Sequence, residues 1–157
     1  MRRSILSSFI VCAALTLTAI AWAASFTVDP TATDQGSTLL VQGTVSGLAP
    51  GDAVVRVRAL GTANVTCVNP GGNEANGQNR NGTRRVTVNG VQRISAADIA
   101  AGTVSFQVTT SAPSLGPKAA GCPNTRWSAR VDDVTFRTVT VRVLQGGSVV
   151  LTRTMTL

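Results

Sequence analysis

Histidine and tyrosine are absent from this 157-residue chain, lysine occurs once, and charged residues make up 13% of it. Each shortage excludes chemistry. Without histidine there is no Ser-His-acid or Cys-His arrangement, and the commonest transition-metal ligand is missing. A Ser-Lys dyad would have to use Lys118, which sits in a Pro/Gly-rich stretch where a solvated amine is expected instead of the desolvated one that catalysis needs. Only 7 acids are present, and the adjacent pair, Asp132 and Asp133, points to opposite faces if it lies in a strand, which argues against a glycosidase carboxylate pair. No EF-hand spacing occurs. A calcium reading would rest on one carboxylate, Glu74, helped by Asn73, Asn76 and Asn79. No catalytic residue, metal or cofactor is expected, and the chain reads as a non-enzyme.

The N-terminus has a clear export pattern. Met1-Arg2-Arg3 precedes an apolar stretch from Ile5 to Ile20, and Ala21-Trp22-Ala23 gives the small-x-small signature of signal-peptide cleavage. The stretch is shorter than the roughly 20 residues of a membrane span and is broken by polar residues. Cys12 follows bulky Val11 and lies too early for lipoprotein processing. The expectation is a signal peptide over residues 1–23 and one domain over 24–157, secreted or envelope-associated, with no membrane span after cleavage. Cleavage removes Arg2 and Arg3 and leaves 12 basic against 7 acidic residues, a net of +5. A mild positive charge favours weak attraction to polyanions and does not name a partner.

Two cysteines then remain, Cys67 and Cys122. In an oxidising compartment a lone pair reads as a structural bridge, which is expected to stabilise by about 4 kcal/mol on the chain-entropy model.

Apolar and polar residues alternate along most of the domain, and no helical period outlasts a turn, so the fold class is all-β. Leu39, Val41, Gly43 and Val45 share one face. Val55 to Cys67 keep one parity, as one long strand or two bent at Gly61. Asn89-Gly90 between Val86 and Ile94 reads as a type I′ hairpin turn. Ser95 followed by Asp98 predicts a capped helical turn. Val134 and Phe136 lie on one parity, but Val139, Val141 and Val143 lie on the other, which predicts a bulge near Arg137-Thr138. Seven or eight strands with regular turn signals point to an immunoglobulin-like antiparallel β-sandwich, with a small β-barrel as the alternative.

Two irregular stretches, residues 69–82 and 111–126, flank or contain the cysteines and form the candidate binding surface. Its candidate residues are Asn73, Glu74, Asn79, Arg80, Arg84, Arg85 and Trp127. Arg80, Arg84, Arg85 and Arg93 form a cation cluster of the kind that neutralises phosphates. Single-strand binders interleave such cations with exposed aromatics, and the three Phe and one Trp of the domain are too few, so nucleic acid is not expected. An anionic polymer of the cell envelope fits better, with an extracellular protein as another possible partner. Arg56 and Arg58 read as the solvent face of a strand, placed to discourage edge pairing. Trp127 is expected to pack over the disulfide, with ligand stacking as the alternative.

The run Cys67-Val68-Asn69-Pro70-Gly71-Gly72-Asn73, followed by Gly77-Gln78-Asn79 and then Cys122-Pro123-Asn124 before Trp127, resembles a group of small exported bacterial β-domain proteins. The resemblance implies a secreted bacterial β domain with its two cysteines paired, and it brings no active site to carry over. The functional expectation is a binding or structural domain. A secreted inhibitor offering residues 69–82 or 111–121 as a rigid bait is the alternative, and a weak polyanion binder is the second. The exposed final strand also permits oligomer formation through an edge.

Overall fold

The computed structural model describes residues 23–76 and 83–157. The signal-peptide reading of residues 1–23 therefore falls almost wholly outside the described residues. So do the candidates Asn79 and Arg80.

Eight strands and two short helices follow in the order β1 (Ser25–Asp34), β2 (Leu39–Ser46), β3 (Ala53–Val68), β4 (Glu74–Asn76), β5 (Thr83–Ile94), α1 (Ala96–Ala100), β6 (Thr103–Thr109), α2 (Pro117–Ala120), β7 (Ser128–Gln145) and β8 (Ser148–Thr156). One sheet has the order β1-β2-β6. The other has β3 at its centre, with β7 then β8 on one side and β4 and β5 end to end on the other. Every pairing is antiparallel. Two separate antiparallel sheets, with the first two strands in one and the third and last two in the other, form an immunoglobulin-like arrangement. The architecture is thus an immunoglobulin-like β-sandwich, and the two separate sheets exclude the barrel alternative. Among the described residues no helix is long and apolar enough to cross a membrane.

The alternation seen in sequence is the packing pattern. Leu39, Val41 and Val45 of β2 and Val55, Val57, Ala59, Ala63, Val65 and Cys67 of β3 are buried between the sheets. They meet Val134, Phe136, Val139, Val141 and Val143 of β7. Valine and alanine dominate because a β-branched or small side chain fits the pleat of two closely opposed sheets. Few large rings are used; Phe26 and Phe106 stack edge to face with centroids 6.4 Å apart.

The parity switch in β7 is a bulge, as its pattern predicts. Leu60 pairs with Thr138 and Gly61 with Phe136, so Arg137 is the extra residue that lets both Phe136 and Val139 face inward. A second bulge, between the inward-facing Val131 and Val134, inserts Asp132 between Val131 and Asp133. β3 runs unbroken through Gly61, so the bend belongs to its neighbour. The capped turn is also present, with Ser95 and Asp98 forming a reciprocal capping box on α1.

The expected hairpin at Asn89-Gly90 is a correction. β5 continues straight through both residues, pairing Arg58 with Asn89 and Val57 with Gly90. Gly90 does not have a positive φ. It is a glycine because a Cβ there would stand 2.6 Å from Val108 Cγ1 and 2.9 Å from the Thr109 carbonyl oxygen. The missing side chain allows the end of β6 to approach β5, and it does not serve a turn.

Candidate functional site

The disulfide organises one end of the domain. Cys67, next to last in β3, bridges to Cys122 with Cα atoms 5.6 Å apart, closing a span of 55 residues. In antibody domains the bridge joins the second and sixth strands across the sheets. Here it ties the third strand to the segment that leads into β7. That segment is shaped by Gly121, whose φ of 75° ends α2 in the left-handed region and lets Cys122 N donate to the Pro117 carbonyl at 2.8 Å.

Residues 111–121 are fastened at both ends. Ser111 N donates to the Asn89 carbonyl at 2.9 Å, Ala120 is fully buried, and Arg84 Nε donates to the Ala119 carbonyl. The helix at the end of this segment packs on β3, β5 and β7.

Asn73 closes a turn, its N–H donating to Asn69 Oδ1 at 2.9 Å. Glu74 Oε1 is 2.8 Å from Arg130 Nη1, and Arg130 Nε donates to Asp132 Oδ1 at 2.8 Å. Thr66 Oγ1 completes the chain by donating to Asp132 Oδ2 at 2.6 Å. The hydrogen bond from Thr66, followed by that from Arg130, holds the Asp132 carboxyl below the usual carboxylate range. The same two carboxylates hold Arg130 more firmly charged than usual. The carboxylate considered for calcium is thereby committed to an ion pair. Asp133, by contrast, lies toward Gly36 in the β1–β2 turn. Trp127 is half-buried at the entry to β7, where its backbone N–H donates to the Asn124 carbonyl at 3.3 Å. The half-buried apolar residues packed on the core include Cys122, Ala129 and Val131, and Trp127 is not one of them.

The arginines are distributed differently from the sequence expectation. Arg84 and Arg85 are neighbours in β5, so they face opposite ways: Arg84 pairs with buried Ala63 and Arg85 with Thr62. Arg84 belongs to the docking of α2, and only Arg85 joins the outward face. Arg56 and Arg58 do not guard an edge, because β3 is flanked on both sides. They stand in the middle of the outer face of the five-stranded sheet.

On that face six arginines from three adjacent strands line two depressions, and past them near Thr66 lie the ion pairs of Arg130 with Glu74 and Asp132. Arg56, Arg58, Arg93 and Arg142 surround a shallow depression of about 610 Å³ whose floor includes Val54 and Val91. Arg85 and Arg137 line a second depression of about 460 Å³ beside Leu60. From the row of Arg93, opposite Val54, to the row of Arg85, opposite Thr62, β3 advances eight residues, or about 27 Å at the usual strand rise. None of the seven acids lines either depression. Asp29 pairs with Arg153 at 2.7 Å, Asp34 accepts from Gly36 N, Asp52 from Ala96 N, and Asp98 from Ser95. Glu74 and Asp132 are held by Arg130. The result is an open, cationic, partly apolar strip, and each guanidinium offers a planar fork of donors that fits carboxylate, phosphate or sulfate oxygens. Sequence spacing could not assemble it, because the strip exists only once the register of β5, β3 and β7 is known.

No family model and no curated protein matches this chain. Among solved structures, a glycosyl hydrolase family 2 member from Bacteroides cellulosilyticus DSM 14838 is similar over 88% of this chain at 12% identity with a TM-score of 0.34, and the chain spans 15% of that protein's length.

Proposed function

We propose that this is an exported, non-catalytic binding domain of the cell envelope or its surroundings that holds an extended anionic polymer across the arginine face of its five-stranded sheet. The observation that carries the reading is the segregation of charge: six arginines line two neighbouring depressions on one outward face, and no acid lines either of them. A surface built only for solubility intersperses both signs. Here the acids are spent on caps, turns and ion pairs, and the two on the same sheet face, Glu74 and Asp132, lie beyond the strip and are held by Arg130.

The dimensions favour a polymer over a compact anion, since an open strip about 27 Å long offers contacts in series and no enclosed cradle. Nucleic acid is disfavoured because no aromatic lines either depression to stack a base. Arginine is suited to the task in a way that lysine is not, because it binds oxyanions bidentately and is weakly hydrated. Export is supported by the N-terminal sequence pattern and agrees with the disulfide.

Binding to polyphosphate, dextran sulfate and single-stranded DNA, measured by anisotropy across a salt series, tests the proposal. Wild-type protein is expected to bind the first two with an affinity that falls linearly in log salt. An Arg56→Gln/Arg142→Gln double variant is expected to lose about tenfold or more in affinity, while Arg126→Gln, which lies off the face, keeps it. Equal affinity of wild type and the double variant would sink the assignment. Tightest binding to DNA would replace it with a nucleic-acid reading.

A further inference from the structure

Open sheets end in edges, and each edge is a row of backbone donors and acceptors that is paired, blocked or left exposed. On β1, Pro30 has no N–H to offer and the register slips on both sides of Val28. On β6, Gln107 N donates to the Gln92 side chain at 2.8 Å. On β5, the Asn89 carbonyl accepts from Ser111 N at 2.9 Å.

β8 differs from all three. It is nine residues long, contains neither proline nor lysine, and keeps regular register with β7 from Leu151 to Thr156. Leu157 N donates to the Arg137 carbonyl. Backbone groups alternate along an antiparallel strand, so those of Thr152, Thr154 and Thr156 point away from β7 toward the open edge.

We infer that β8 is a homodimer interface: a second copy of this chain pairs its own β8 antiparallel to this one about a twofold axis through Thr154, joining two five-stranded sheets into one of ten strands. Self-complementarity picks the second copy over a foreign strand. Thr154 would face its own counterpart and Thr152 the partner subunit's Thr156, cross-strand pairs that threonine favours. The one charge on the strand, Arg153, is neutralised by Asp29 at 2.7 Å and would lie across from the partner subunit's Met155, so no like charges meet. Leu157, 52% exposed, would cover the partner subunit's Leu151. The opposite edge of the same sheet carries Arg85 and Arg93, where two cationic copies would repel. A twofold pairing is closed and stops at two copies. The inference does not rest on the polymer reading, since none of the arginines that line the two depressions takes part in the β8 contact.

Sedimentation velocity of the purified protein over a wide concentration range tests it, with Thr154→Pro and Thr154→Lys compared by circular dichroism for folding. Wild type is expected to form a concentration-dependent dimer. Thr154→Pro removes an edge N–H from each copy and is expected to weaken the dimer about 30-fold. Thr154→Lys sets two cations face to face and is expected to do the same, which keeps the test open if the proline variant fails to fold. A monomer at every concentration, a species larger than a dimer, or a dimer indifferent to the lysine substitution overturns the inference.

Discussion

Arg56 and Arg142 are direct cross-strand partners on β3 and β7, two like charges on one face with no carboxylate lining the depression they share. Like charges set directly opposite in a sheet oppose its stability. Arg142→Thr is therefore expected to stabilise the domain by roughly 0.5 kcal/mol at low salt, with most of the gain disappearing at high salt as the repulsion in wild type is screened. The same substitution is expected to weaken polyanion binding. Urea unfolding at two ionic strengths, paired with the binding assay, reads both effects. A variant that is less stable at low salt would mean that the guanidiniums stack or share a water-bridged anion, and the repulsion argument would fail.

Gly90 provides a sharper test of packing. A methyl group there would press on Val108 Cγ1 and the Thr109 carbonyl, at 2.6 and 2.9 Å. Overpacking of this kind costs roughly 1–3 kcal/mol, so Gly90→Ala should lower the urea midpoint by a corresponding amount. Were Gly90 instead the second residue of a type I′ turn, alanine would be penalised for its φ, and Gly90→Asn would rescue the protein. Here Asn is larger than Ala and is expected to be worse.

The contrast between these two positions shows how far the sequence can be read. Strand faces were legible wherever one side is buried, as from Val55 to Cys67, because a period of two has a single cause. The bulge at Arg137 was legible because Phe136 and Val139 both need the core and an odd spacing between them demands an extra residue. The cap at Ser95 was legible because both of its partners are local. Asn89-Gly90 was misread because a dipeptide reports only local φ preference, while the reason for this glycine lies in β6, 18 residues further on at Val108. The arginine face was invisible for a related reason. Arg56, Arg93 and Arg142 are scattered in sequence and become neighbours only through strand register, whereas Arg84 and Arg85 are adjacent in sequence and part in space.

Asp132 links stability to pH. Its carboxyl is held below the ordinary range by hydrogen bonds from Thr66 and Arg130. A depressed folded-state pKa means that the stabilisation is fully present above the unfolded-state value near 3.8 and is lost as pH falls through the folded one. Acid unfolding of wild type is therefore expected to show a component below about pH 4 that is missing in Asp132→Asn, while the two proteins differ by a nearly constant amount at neutral pH. The group is partly exposed and screened, so the effect should be small and should shrink further in salt. Parallel acid titrations of both proteins would count against the network if they superimposed.

The bridge between Cys67 and Cys122 closes 55 residues that include all of β4, β5 and β6. Chain entropy alone assigns such a loop about 4 kcal/mol, a large part of the 5–15 kcal/mol of net stability typical of a domain. Cys67→Ser/Cys122→Ser is expected to lower the unfolding free energy by about that much, and reductant should do the same to wild type while leaving the variant unchanged. Loss should begin where the bridge acts locally. Amide exchange is therefore expected to rise first at Ala120 and Cys122, whose N–H groups close the turns of α2, and at Ser111 where it docks on Asn89. A reduced protein that kept protection at these amides would show that the hydrogen bonds from Ser111 and Arg84 are enough to seat the segment, and the bridge would then act on the unfolded chain alone.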